Sequence, residues 1–206
     1  YSKFKRMERF YLKNMKNICL LGLLMWTGFA QALSGGSYTI NAAGAATSSN
    51  YKSFNALFRD LNNGGRNDGG TSNGAGISGP IVIDVVSGSG PYTEQVTINQ
   101  YSGISSTNSI KINGNGNILQ FTATSSAASH TLLLDGADFI TIENLTILAN
   151  STSMGRCVHL MNDARSNTLN KCTFQMPNMT GTSTANAYVC LTQGTSTMQT
   201  YGAAGQ

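Results

Sequence analysis

The chain has 206 residues, 23 of them Gly and only 3 Pro, and 11% of it is charged. Residues 1–32 hold six of the 13 basic and one of the nine acidic residues, which leaves seven against eight, a net of −1, for the rest. With no Lys/Arg cluster after residue 32, nucleic-acid binding has no electrostatic footprint. Regular Ile- and Val-rich runs argue against disorder and for an all-β or repeat protein over a helical one.

The first residue is Tyr1, and the expected biological start is Met15, with Met7 nearly as good. From Met15 a short basic segment ends at Lys16, an apolar run covers 18–29, and Ala30-Gln31-Ala32 is a small-x-small cleavage signal. This pattern is a secretory signal peptide, cleaved near Ala32. Its twelve apolar residues are too few to span a membrane. Cys19 opens the run with no small residues before it, unlike a lipoprotein signal. The mature protein is therefore expected outside the cell or on its outer surface, with no transmembrane segment.

Residues 33–79 are expected to hold an N-terminal strand, a capping helix and a flexible loop. Phe54, Leu57, Phe58 and Leu61 fall at i, i+3, i+4 and i+7, with Ser53 as N-cap and Gly64 as C′ residue. That apolar stripe must cover something. The Gly/Asn/Ser-rich stretch from Gly64 to Gly79 reads as a mobile loop.

From residue 80 to residue 206 the chain repeats. "IVID" at 81–84 recurs as "IKIN" at 110–113, "ITIE" at 140–143 and "NTLN" at 167–170, at offsets of 29, 30 and 27. Leu145 and Ile147 recur as Cys172 and Phe174, and "TLLL" at 131–134 recurs as "CVHL" at 157–160 and "YVCL" at 188–191. Three short strands per repeat, with Gly, Asn, Asp and Ser between them, predict a solenoid coil. A one-residue shift flips every later side chain to the other face. If Ile140, Ile142, Leu145 and Ile147 all point inward, the chain turns a corner at Glu143-Asn144, which makes Glu143 a corner residue rather than a catalyst. The last rung finds no cap in "TMQTYGAAGQ", so the chain is expected to be the N-terminal part of a longer protein.

These residues resemble the right-handed parallel β-helix, or pectin-lyase-like, superfamily. The order of parts is similar to the start of pectin methylesterases: a capping helix, a first strand, then "GPYTEQVTI" at 90–98, "IKINGNGN" at 110–117 and "DFITIENLTI" at 138–147. The resemblance covers about 50–176. It extends to the N-terminal region of large surface proteins of gliding Gram-negative bacteria, which begin with a signal peptide and "YTI". It implies an all-β, right-handed parallel β-helix. The esterase residues do not carry over, because "CTF" at 172–174 is followed by Gln175-Met176-Pro177-Asn178, with the Gln misplaced and the Asp missing.

The best polar constellation lies on the turns. Asp135 aligns with Asn162 and Asp138 with Arg165, and Asp163, Arg156 and His159 lie close by. On stacked coils ~5 Å apart, Asp138 and Arg165 are expected to pair. Asp135, Asp163 and Arg165 would line a sugar-binding or lyase groove, with His159 on the exposed face of its strand. The competing reading is solvated turn residues and a surface ion pair worth under ~1 kcal/mol. Glu94 is read as a structural contact at the first coil. Tyr92 and Tyr101 either shield the coil end or stack on sugars. Asn113, Asn115 and Asn117 tolerate left-handed backbone and form ladders. "NLT", "NST" and "NMT" at 144, 150 and 178 match a weak glycosylation signal.

No cofactor is implied. Calcium at the Asn turns would lack carboxylates. Cys157, Cys172 and Cys190 read as buried small hydrophobes, with a disulfide left open by export. Three functions remain: a surface module binding polysaccharide or cell-surface glycan, a polysaccharide lyase with its active residues mostly in later coils, or a structural stalk.

Overall fold

The computed structural model describes residues 31–183 and 185–192. The leader up to Ala30 and the tail "TMQTYGAAGQ" lie outside the described residues.

Two strands come first, β1 (Gly36–Ile40) and β2 (Asn50–Tyr51), followed by helix α1 (Phe54–Asn63). Four coils of three strands follow. They are β3 (Ile81–Val85), β4 (Tyr92–Thr93), β5 (Val96–Asn99); β6 (Ile110–Asn113), β7 (Ile118–Phe121), β8 (His130–Asp135); β9 (Ile140–Glu143), β10 (Thr146–Ala149), β11 (Arg156–Met161); and β12 (Thr168–Asn170), β13 (Thr173–Gln175), β14 (Ala187–Leu191). Equivalent strands of successive coils pair parallel, which builds three sheets. The first runs β12-β9-β6-β3-β1-β2, the second β13-β10-β7-β4, and the third β14-β11-β8-β5. This is an all-β parallel β-solenoid, as the repeats predict.

The register matches the sequence repeat residue for residue. Ile81 pairs with Ile110, and Ile110 with Ile140. The inward rows are fully buried: Ile83, Ile112 and Ile142 in the first sheet, Leu119 and Ile147 in the second, Val96, Leu132 and Val158 in the third. Strands of the first sheet bury one side chain in two, while β8 and β11 of the third bury consecutive residues, and aliphatic residues stack rung upon rung inside a narrow core.

The corners rest on left-handed backbone. Asn144 has φ 54° and Leu145 beyond it is 2% exposed. The turn at Asn144 restores the inward phase that Glu143 interrupts. Left-handed residues recur 27 apart at Gly136 and Asp163, Phe139 and Ser166, and Asn144 and Lys171. Backbone bonds continue the rung pairing through the corners, as in Asn144 N–H to the Asn170 carbonyl, 3.1 Å.

Close approach at one corner requires glycine. A Cβ on Gly114 would stand 2.6 Å from Leu145 Cβ and 2.7 Å from the Asn144 carbonyl oxygen of the next coil. Gly114→Ala is therefore expected to lower stability by ~1–3 kcal/mol, read from the urea midpoint. Gly116→Ala, with φ 77° and no atom near its Cβ, isolates the backbone cost alone, ~1 kcal/mol. Equal losses for the two would show that coil contact does not set the requirement.

α1 closes the first coil. Ser53 caps it, accepting from the Ala56 N–H at 3.0 Å, and Gly64 ends it in a left-handed conformation. Leu57 and Leu61 are buried. Phe54 meets Tyr92 edge-on at 5.2 Å, and Phe58 stacks on Tyr101 at 6.3 Å. The two tyrosines thus shield the coil end. Glu94 accepts from the Phe54 and Asn55 N–H groups, 3.2 and 2.8 Å, and neutralises the helix N-terminus. Its role is structural, as read.

The Gly64–Gly79 stretch carries a polar network. Arg66 grips Asp68 and lies 3.9 Å over the Tyr51 ring, and Asp60 accepts from Tyr51 Oη, Ser72 Oγ and the Asn73 N–H. No helix among the described residues is long and apolar enough to cross a membrane.

Candidate functional site

The six polar residues singled out on the turns divide into two places. Asp135, Asp138, Asp163 and Arg165 gather where the third sheet turns into the first. Arg156 and His159 lie buried on β11, 2% and 1% exposed. The expectation that His159 faces solvent is not met. His159 stacks on Leu133 of β8 and beneath Cys190 of β14, and its Nε2 lies 2.8 Å from Thr192 Oγ1. Outward residues of a middle coil are covered here, so strand alternation alone misjudges them.

At the corner, coil stacking does bring Asp138 to Arg165, but through the backbone: the Arg165 N–H donates to Asp138 Oδ1 at 2.7 Å. The guanidinium instead embraces Asp163, two residues away, and this contact raises the Arg165 pKa. The local pair wins because Asp163 and Arg165 share one turn. Both side chains are 68% exposed, so the pair contributes little to stability. Asp135 pairs in register with Met161 rather than Asn162, though the Asn162 side chain donates to its carboxylate.

His130 is the residue that sequence reasoning missed. It pairs in register with Arg156 on the next rung, and both are buried. Arg156 Nη1 lies 3.5 Å from His159 Nδ1. Burial pulls both histidines down to about 4, aided by His159 and then Arg156 at His130 and by Arg156 at His159, while Asp135 pulls weakly the other way. Both rings are therefore neutral at pH 7, and the cluster is built into the wall. The signal available was the repeat itself, since His130 and Arg156 stand 26 apart just before "TLLL" and "CVHL".

Among the described residues no three His, Cys, Asp or Glu side chains converge to hold a metal. Cys157, Cys172 and Cys190 are free thiols, and burial raises the pKa of each. Glu143 stands at its corner and pairs with Lys111 at 2.7 Å. Asn113 donates to Asp84 and accepts from Asn144, one ladder step between coils, whereas Asn115 and Asn117 donate to the Val85 and Val86 carbonyls instead; Asn178 donates to Asn150.

The opposite corner, between the first and second sheets, opens into a cleft of about 460 Å³. Ser87 comes from the first coil, Asn115 and Gly116 from the second, Asn144 and Thr146 from the third, Lys171 and Thr173 from the fourth. It therefore crosses three rung spacings, ~14 Å along the solenoid axis. The left-handed turns at Asn115, Asn144 and Lys171 bring their backbones to its wall. Lys171 is exposed and forms no ion pair with a described residue. The chemistry offered is hydroxyls, amides and one ammonium.

No family model, curated protein or solved structure matches this chain.

Proposed function

We propose that this β-solenoid is an exported surface module that binds glycan chains laid along the corner cleft. One observation carries the reading: a single cleft collects hydroxyl and amide groups from all four coils. Sugar hydroxyls donate and accept, as Ser, Thr and Asn side chains do. Rungs at a regular spacing suit a polymer that is itself regular. Lys171 adds a donor for a carboxylate or hydroxyl at the fourth coil. The leader at 15–32 and the resemblance to bacterial surface β-helices support export.

The test is retardation of the protein in gels containing neutral or acidic polysaccharides, with Lys171→Ala and Thr146→Ala/Thr173→Ala alongside. The wild type is expected to be retarded by at least one polysaccharide. Loss of the charge-assisted contact in Lys171→Ala is expected to weaken that about tenfold, for ~1.5 kcal/mol or more. Retardation by none of them, or variants indistinguishable from wild type, would reject the cleft. Unsaturated products released from an acidic polysaccharide would make the protein a lyase instead.

A further inference from the structure

The helix that closes the first coil creates a second polar surface, unrelated to the corner cleft. Along α1, Asn55, Arg59 and Asn62 recur at the spacing of successive turns, on the side opposite the buried Leu57 and Leu61. Facing them, Gln95 just before β5, and Thr97 and Asn99 on it, alternate with the inward Val96 and Ile98. A helical stripe and a strand stripe thus face each other across a cleft of about 460 Å³. Its wall includes Phe58, held in place by its stack on Tyr101.

The groups lining this cleft are partly pre-set and partly uncommitted. Gln95 donates from Nε2 to the carbonyls of Ala128 and His130, 2.8 and 3.0 Å, which fixes its amide and leaves Oε1 to accept. The side chains of Asn55, Asn62 and Thr97 make no hydrogen bond to a described residue, and Arg59 makes no ion pair with one. No carboxylate lines the cleft among the described residues. The single cation stands alone among amides and a hydroxyl, so a polyanion finds little here. Phe58 at the cleft wall is only 3% exposed, so a lipid tail or an apolar peptide finds little either. Amides that both donate and accept, with one hydroxyl among them, match the hydroxyls of an uncharged sugar.

We infer that the cleft between α1 and β5 binds a neutral oligosaccharide. The site stands whether or not the corner cleft binds a polymer, since the two share no residue. The test is titration calorimetry of the full chain with cellotetraose, maltotetraose, a tetramer of N-acetylglucosamine, and tetragalacturonate. At least one neutral tetrasaccharide is expected to saturate. Its affinity is expected to fall about tenfold or more in Asn62→Ala/Thr97→Val, a pair of surface changes whose β-type circular dichroism should match wild type. Loss of that affinity in Lys171→Ala would place the sugar in the corner cleft and overturn the inference. Binding of tetragalacturonate alone, no saturation by any neutral tetrasaccharide, or full affinity in the double variant would each overturn the inference.

Discussion

Arg66→Ala is expected to destabilise the protein by ~3–5 kcal/mol, measured by guanidinium unfolding, because it breaks a buried ion pair from one side. The Arg66 side chain is 1% exposed and that of Asp68 5%. Nε and Nη2 donate to the two Asp68 oxygens at 2.9 and 2.7 Å; Nη2 also reaches the Asn50 carbonyl at 2.6 Å, and Nη1 reaches those of Thr47 and Thr71. The plane lies over Tyr51. Deletion leaves the Asp68 carboxylate without its cation and takes a donor from three carbonyls at once, and it removes the bridge from Asn50 of β2 to the loop after α1. Arg66→Lys keeps the charge but not the planar fork, so its loss should be intermediate. A loss under ~1 kcal/mol for Arg66→Ala would show that the network contributes little. Acid should act on the same pair. Burial works to raise the Asp68 pKa, but the Arg66 guanidinium and the N–H groups of Lys52 and Gly70 outweigh it and hold it at about 2. A depressed carboxylate pKa contributes stability that is present above ~4 and lost as pH falls toward 2.

The second large effect is a slope in stability between pH 6.5 and 4. His130 and His159 titrate near 6.5 when unfolded and at about 4 when folded, because burial, with His159 beside His130 and Arg156 adjacent to both, disfavours the imidazolium. Between those values the unfolded chain binds more protons than the folded one. Stability is therefore full above pH 6.5 and falls as the pH drops to 4, by on the order of 2–4 kcal/mol for the two together. Thermal midpoints across this range should decline in the wild type and flatten in His130→Asn/His159→Asn. A flat wild-type profile would show that both rings protonate in place. The windows do not overlap: the histidines act above pH 4 and Asp68 below it.

Much of the architecture is legible in order and spacing. "IVID", "IKIN" and "ITIE" predict the register of the first sheet because side chains alternate and identical residues stack. The slip at Glu143-Asn144 predicts a corner, since a residue out of phase must be absorbed by a turn, and Asn144 absorbs it with positive φ. Ser53, the stripe from Phe54 to Leu61, and Gly64 predict α1, because caps and i, i+4 pairs are local. The candidate site was less legible. Arg165 chose Asp163 over Asp138, and His159 is covered on the outward side of its strand, because both outcomes depend on what covers a strand from outside and on competition between partners at similar distance.

Local rules operate over a few residues, and a repeat copies them from coil to coil. From its sequence alone the chain therefore determined its strands, its inward rows, its corners and its capping helix. Only the tertiary structure decided which polar groups share a space. Ser87, Asn115, Asn144 and Lys171 lie up to 84 residues apart and meet in one cleft. α1 and β5 are placed face to face by the packing of Phe54 on Tyr92 and Phe58 on Tyr101. The physical reason is that coil stacking turns an offset of about one repeat into a distance of ~5 Å. Burial and partner choice follow from that packing, and no local pattern encodes them.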